Sequence, residues 1–439
     1  MSIAVIGAGY VGLTTAACLA HLGNEVVCAD IDAERVARLR KGEVPILEDG
    51  LPALIAEGIA SKRLSFVVGA AVAARGADIV FLCVQTPQGA DGAADLSFVE
   101  AVAREIAPVL SPKAVVVNKS TVPVGSTQFV QRVLAEAGTP REHVTVASNP
   151  EFLREGQAVH DFLHPDRIVI GCEDPESAVR VSELYRGVHA PVLVTDPASA
   201  EMIKYASNAF LATKVSFINA VANLCEAVDA DVREVAIGMG YDARIGFQFL
   251  HPGPGFGGSC FPKDVAALLH TAREAGYDFQ LLEGVVGVNL GQQDRIVEKV
   301  RAAAGRGGDQ GEAAPLSGVQ VAMWGLTFKA DTDDLRDSPS LVVARKLLDE
   351  GAVVRAYDPA AGEAAAALLP ELDVRPDAYE ASVGADVIAL LTEWEEFRWL
   401  DFERVRAAMR RPAIVDARNL LDPAAMRRRG FEYSGIGRR

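Results

Sequence analysis

Residues 1–30 read MSIAVIGAGYVGLTTAACLAHLGNEVVCAD, and the fold turns on them. An apolar, β-branched run at 2–6 is followed by Gly7-Ala8-Gly9-Tyr10-Val11-Gly12. Next come a small-residue helical stretch closed by Gly23 and a second apolar run ending on Asp30. Strand, tight turn, helix and strand in that order predict a right-handed crossover unit of a parallel sheet. Each glycine has a physical task there: Gly7 permits the turn, Gly9 lets backbone amides approach a pyrophosphate, and Gly12 lets the helix pack closely on the strand. Asp30, 18 residues after Gly12, is placed to accept hydrogen bonds from an adenosine ribose. The expected cofactor is therefore NAD, touching Gly7, Gly9, Tyr10, Val11, Gly12 and Asp30. Arg35 is a further candidate contact and the one feature that would also suit a 2′-phosphate. The first 22 residues lack any Asp, Glu, Lys or Arg. They nevertheless read as neither signal peptide nor membrane span, because no basic segment precedes the apolar run and glycines interrupt it.

Outward from this unit, strand-like runs recur at 65–68, 78–84, 114–117, 144–147 and 167–171, with helical patterns between them. That alternation predicts a mostly parallel sheet covered on both faces. From 199 to 240 the pattern becomes long helical periodicity without strand signal. Residues 305–317 (GRGGDQGEAAPLS) lack period and read as a linker. Beyond it VQVAMWGLTF echoes SIAVIGAGY, AVVRAYDP echoes EVVCADID, GADVIALLTEW echoes GADIVFLCVQTP, and PAIVDARNL echoes AVVVNKSTV. The expected fold class is α/β: two Rossmann-like domains with mostly parallel sheets, joined by a central long-helix dimerisation region. The expected divisions are 1–198, 199–304, the linker 305–317, and 318–439. The second repeat reads W-G-L-T-F-K at its first turn, which predicts a ligand other than a dinucleotide.

The chain has 439 residues and a net charge of −16. That sign argues against nucleic acid or an anionic membrane as a partner. No other uncharged apolar run approaches the ~20 residues that span a bilayer. Six scattered cysteines suit neither a disulfide scaffold nor a metal site, so a reducing, cytoplasmic setting without metal is expected. One of them stands apart. The segment 245–264 reads IGFQFLHPGPGFGGSCFPKD, a loop dense in helix breakers, and Pro262 suits the first turn of a helix. Cys260 would then sit at a helix N-terminus, which favours its thiolate, with Lys263 and Asp264 close by. In the helical stretch EMIKYASN, Lys204 and Asn208 are four apart and share a face. Glu151 and Glu155 in PEFLRE are also four apart, near an expected helix start after Pro150.

GAGYVGL, STVPVGST, NPEFLREG, KYASNAFLATKVSFINA, PGPGFGGSCFPKD and GLTFKADTDDLRDSP, in this order and spacing, resemble the UDP-glucose 6-dehydrogenase family of nucleotide-sugar dehydrogenases across essentially the whole chain. The resemblance implies an NAD-dependent four-electron oxidation of a sugar alcohol to a carboxylate, through a thiohemiacetal and a thioester on Cys260. It implies Lys204 as stabiliser of the alkoxide or oxyanion, with Asn208 a neutral donor beside it. Thr121, Glu155 and Asp264 would order water or accept protons, and Thr86, Thr121 and Glu155 would also contact the cofactor. The substrate, UDP-glucose, would lie against Glu151, Phe152, Leu153, Arg154 and Glu155, against Lys204 and Asn208, against Phe249, Leu250, His251, Pro252, Gly253 and Gly257, and against Phe328, Lys329 and Arg418. Lys263 and Arg336 are expected nearer the cofactor. Arg244 is expected to reach a neighbouring subunit's site, since the central helix in this family builds a homodimer or an assembly of dimers. The terminal arginines, Arg427, Arg428, Arg429, Arg438 and Arg439, are expected to be a solvated tail. Oxidation of UDP-N-acetylmannosamine or GDP-mannose, or a two-electron hydroxyacid-type reaction that has no use for Cys260, are the alternatives.

Overall fold

The computed structural model describes residues 1–89, 91–306 and 315–438. The core of the expected linker, 307–314, and Arg439 of the tail lie outside them. Two compact units are present: Met1–Ser207 with Ala266–Tyr277, and Asn208–Val265 with Asp278–Arg439.

The first unit is built on eight strands: β1 Ser2–Ile6, β2 Glu25–Asp30, β3 Leu64–Val68, β4 Ile79–Leu82, β5 Ala114–Asn118, β6 Val144–Ser148, β7 Ile168–Gly171 and β8 Val192–Thr195. Their spatial order is β3-β2-β1-β4-β5-β6-β7-β8. All neighbours run parallel except β6 and β7. Strands β4, β5 and β7 are buried at every position, as apolar runs covered on both sides require. Alternate residues feed two cores, Val115 and Val117 into one and Val116 into the other. The outermost strand, β8, was not foreseen: its four residues are largely exposed, so no burial pattern marks them.

The second unit repeats the plan with β9 Gln320–Trp324, β10 Val353–Tyr357, β11 Asp373–Val374, β12 Val387–Leu390, β13 Ala413–Asp416 and β14 Glu432–Gly435, ordered β11-β10-β9-β12-β13-β14 and parallel throughout. The repeat extends to single hydrogen bonds. Gly7 donates to the Ala29 carbonyl at 2.7 Å, and Gly325 to the Tyr357 carbonyl at 2.8 Å. Ala8 donates to Asp30 Oδ2 at 2.8 Å, and Leu326 to Asp358 Oδ2 at 2.7 Å. The second turn therefore keeps the backbone device of the first although its fingerprint is gone.

The strand-free stretch foreseen at 199–240 is the central helix Pro197–Val228 followed by the helix Val232–Gly240. A third helix, Phe261–Glu274, begins directly after Cys260, and a fourth, Gln280–Ala303, returns along the second unit. Among the described residues no helix is long and apolar enough to cross a membrane. Two local expectations are corrected. Residues 151–157 form no helix, the next one being Ala158–Leu163, so Glu151 and Glu155 do not share a helical face. Arg438 is not a solvated terminus: its side chain is 11% exposed, with Nε 3.7 Å from Asp231.

Candidate active site

In the first unit the glycine turn is as tight as its spacing suggested. Gly7 sits at φ +105°, and a Cβ there would lie 2.5 Å from the Cys83 carbonyl oxygen. A Cβ on Gly12 would lie 1.8 Å from the Gly7 carbonyl oxygen, whereas one on Gly9 would meet nothing within 4 Å. The first and third glycines thus serve packing, and the second leaves open space beside helix amides that no side chain caps. This donor set, with a carboxylate at the end of β2, fits a dinucleotide. Asp30 has a second task the sequence did not reveal: its carboxylate braces the turn through the Ala8 and Asp32 amides, and Arg35 lies 3.4 Å away. Thr86 and Thr121, 35 residues apart, are joined by the Thr86 hydroxyl donating to the Thr121 carbonyl at 2.8 Å. Val11 packs on the core, and the Tyr10 hydroxyl accepts the Gly156 amide. That amide also reaches buried Glu48, whose other oxygen takes the Val159 amide at 3.2 Å. Half-buried Glu155 lies in the loop so fixed.

Lys204 is 3% exposed and donates to Glu151 Oε1 at 2.8 Å, while Glu151 Oε2 accepts the Leu153 amide at 2.6 Å. Burial pushes the Glu151 carboxyl up. The charge and hydrogen bond of Lys204, the Leu153 amide and the charge of Lys119 outweigh it and hold the group below the usual carboxylate range. Of the two glutamates, Glu151 is thus the buried one. Half-buried Phe152 lies beneath two cations, Lys204 at 5.5 Å and Arg167 at 3.5 Å from the ring centre. Arg154 is exposed and paired with Asp161 at 2.6 Å. Sequence reasoning missed Glu201. Its carboxylate accepts the Gly125 and Thr127 amides and the Thr127 hydroxyl at 2.7 to 2.9 Å, pinning STVPVGST to the central helix.

In the second unit Cys260 is half-buried at the start of its helix, with Ser259 Oγ 3.4 Å from the sulfur. The helix terminus favours the thiolate. The other five thiols are buried, and desolvation pushes Cys18 and Cys83 up to about 12. Asp264 is fully buried. Asn208 Nδ2 donates to one oxygen and Lys263 Nζ to the other, both at 2.6 Å, and the Asp264 amide closes the first helical turn on the Cys260 carbonyl at 2.9 Å. Asn208, Lys263 and Asp264 therefore form one cluster.

The loop ahead of Cys260 is moulded by its glycines. Phe249 adopts φ +63°, Leu250 enters the core, His251 is exposed, and Pro252 to Gly258 are buried. A Cβ on Gly257 would lie 2.1 Å from the Asp337 carbonyl oxygen, one on Gly258 2.8 Å from the Phe328 ring, and one on Gly253 3.4 Å from Arg418. Arg418 in turn donates to the carbonyls of Leu391 and Phe328 and pairs with Glu393 at 3.0 Å. Lys329 is half-buried with Nζ 5.7 Å from the Phe328 ring centre. Arg336 reaches the loop through its carbonyl, which accepts the Gly258 amide at 3.0 Å, while its side chain is 65% exposed and paired with Asp334. Arg244 is 88% exposed, paired with Asp242. Among the described residues no group of His, Cys, Asp or Glu could hold a metal ion.

Residues 1–189 match the NAD binding domain, 198–290 the central domain and 322–423 the UDP binding domain of the UDP-glucose/GDP-mannose dehydrogenase family. A UDP-glucose 6-dehydrogenase of Rhizobium meliloti is 48% identical over the whole of both chains. One from Pseudomonas aeruginosa is 47% identical over all of this chain and 98% of its own. The structure of a UDP-glucose dehydrogenase from the hyperthermophilic archaeon Pyrobaculum islandicum superposes with a TM-score of 0.90 at 38% identity, covering 99% of this chain and 97% of that one. The chain belongs to the UDP-glucose/GDP-mannose dehydrogenase family.

Proposed function

We propose that this chain oxidises UDP-glucose to UDP-glucuronate, consuming two NAD and one water per sugar. The observation that carries the reading is Cys260, a half-buried cysteine at a helix start among five buried ones, in a chain 48% identical to a UDP-glucose 6-dehydrogenase. NAD, held at Gly7, Gly9, Tyr10, Val11, Gly12 and Asp30 with Thr86, Lys263 and Arg336 as further contacts, supplies the hydride acceptor. Lys204 stabilises the C6 alkoxide, kept in place by Glu151. Cys260 sulfur adds to the aldehyde carbon, and the resulting oxyanion is stabilised by Lys204 and Asn208. Loss of the second hydride leaves a thioester, and water then cleaves the C–S bond and returns the thiolate. Thr121, Glu155 and Asp264 order that water and take its protons. The uridine diphosphate lies against 249–253, Gly257, Phe328, Lys329 and Arg418.

Residues 1–198 and 318–439 are the cofactor and nucleotide domains in this reading, and 199–304 forms a dimer. The dimer is supported by Phe210, Phe217 and Leu224, exposed by 65%, 51% and 60% at seven-residue intervals on the central helix, a repeat that suits helix pairing. A reducing, cytoplasmic setting suits the need to keep the Cys260 sulfur reduced.

The test is NADH released per sugar for UDP-glucose, UDP-N-acetylglucosamine, UDP-N-acetylmannosamine and GDP-mannose, on the parent and on Cys260→Ser. Two NADH with UDP-glucose and a stalled variant that still binds NAD are expected. One NADH per sugar with Cys260→Ala unaffected refutes the thioester route, and turnover of GDP-mannose alone refutes the substrate.

A further inference from the structure

The loop that precedes Cys260 has no strand partner among the described residues, yet Pro252 to Gly258 are buried, so its backbone groups need partners from elsewhere. Three side-chain amides meet those of Gly253 and Phe256, and a fourth braces one of the three. Asn289 Oδ1 accepts the Phe256 amide at 2.7 Å and its Nδ2 donates to the Phe256 carbonyl at 3.2 Å. Asn219 Oδ1 accepts the Gly253 amide at 2.8 Å, and Gln292 Nε2 donates to the Gly253 carbonyl at 2.9 Å. Asn223 Nδ2 holds Gln292 Oε1 at 3.0 Å and so fixes which way that amide faces.

Asn219 and Asn223 are one turn apart on the central helix, and Asn289 and Gln292 nearly one turn apart on the helix Gln280–Ala303. Asn219, Asn289 and Gln292 are buried by more than nine-tenths. Gly255, between the two gripped residues, sits at φ +113°, where a Cβ would lie 2.6 Å from Asn289 Oδ1. The grip therefore needs both the amides and a glycine.

We propose that Asn219, Asn223, Asn289 and Gln292 form an amide clamp that sets the position of the Cys260 loop, and that they are positioning residues for the second oxidation. The physical ground is that an amide side chain offers a donor and an acceptor together, matching a buried residue whose own N–H and C=O both require a partner. Loss of one bond leaves a buried polar group unmet and lets the loop shift. A displacement of about 1 Å at the reacting atoms costs on the order of a hundredfold in rate. The thiohemiacetal step depends on Cys260 and the first hydride loss does not, so a shifted loop slows the second oxidation more than the first. The inference rests on the four-electron reading above.

The test uses Asn289→Asp and Gln292→Glu in the full chain. Each keeps size and one acceptor but turns a donor into an acceptor facing a carbonyl. Three quantities are read: the rate of Cys260 alkylation by iodoacetamide, followed by mass spectrometry; NADH per sugar with semicarbazide present to trap free aldehyde; and the dissociation constant for NAD. Expected are an alkylation rate changed by about threefold or more, NADH per sugar falling from two towards one, kcat down about tenfold or more, and NAD affinity within about twofold. Alkylation and NADH yield equal to the parent overturn the clamp, as does an activity loss matched by the fraction of unfolded protein. Should the charged variants not fold, Asn223→Ala, which removes only the brace on Gln292, is read the same way and decides it. A parent enzyme that yields one NADH per sugar defeats the four-electron reading and leaves the alkylation comparison to judge the clamp.

Discussion

Replacing Glu151 by Gln changes one atom, and the structure says that the change is costly. Two donors converge on this side chain, Lys204 Nζ at 2.8 Å on Oε1 and the Leu153 amide at 2.6 Å on Oε2. A carboxylate accepts both, but an amide can accept only one and must turn its NH2 towards the other. The charge is lost as well. At 2.8 Å and an effective dielectric of about 20, the gross attraction is about 6 kcal/mol. Relief of carboxylate burial returns part of this, so removal of one partner of a buried pair costs about 3–5 kcal/mol net. Lys119, which also acts on Glu151, then faces Lys204 without the intervening anion. The assay is urea unfolding of Glu151→Gln, Lys204→Met and the double variant. The double variant, free of an unpaired buried charge at this spot, should be more stable than the sum of the singles implies, with a coupling of about 2 kcal/mol or more. The sign with pH is also fixed. Because Glu151 lies below its ordinary value in the folded chain, its contribution is present above the usual carboxylate range and is lost as pH falls through the lowered folded value. The gap between parent and Glu151→Gln should therefore narrow on acidification. A coupling under about 1 kcal/mol, the range of exposed pairs, would refute the reasoning, and so would a gap that widens towards low pH.

Gly12→Ala would force a methyl to within 1.8 Å of the Gly7 carbonyl oxygen, and the helix must lift from the turn. NAD affinity measured by fluorescence titration should fall more than about tenfold, whereas Gly9→Ala, which meets no protein atom, should leave the fold intact and weaken NAD alone. In Asp30→Ser the proposed acceptor for the ribose is gone and Arg35, 3.4 Å from that carboxylate, is released. The ratio of kcat/KM for NAD to that for NADP should drop by about tenfold or more. At pH 8 a thiol reagent should label one cysteine fast, since burial raises Cys18, Cys28 and Cys83 far above that pH while Cys260 is half-buried. Rapid labelling of a second thiol in folded protein would contradict the assignment.

Much of the candidate site's geometry was legible because it is local. The turn at Gly7, Gly9 and Gly12, the acid at Asp30 and the helix start after Cys260 all depend on neighbours within one crossover unit or one turn, and each came out where spacing put it. Glu151 and Glu155 show the opposite case. Their spacing placed them near an expected helix start, but 151–157 is irregular, and nothing in the spacing marks Glu151 as the buried one, because the lysine that pairs with it is 53 residues away. Glu48, Glu201 and the clamp amides were invisible for the same reason: a polar residue in a loop or a helical stretch reads as solvated until the backbone it serves is located.

The α/β class, the two related halves, the NAD cofactor and the helix start after Cys260 were readable from the residues themselves, since strand and helix periods, glycine turns and helix ends are properties of short segments. What packing had to supply were the distant partners of the polar groups: Lys204 with Glu151, Asn208 with Asp264, Arg418 with the carbonyls of Leu391 and Phe328. The physical reason is that burial makes an unmet polar group expensive, so each buried group must find a complement, and which complement is near is set by how distant segments pack rather than by the residues beside it.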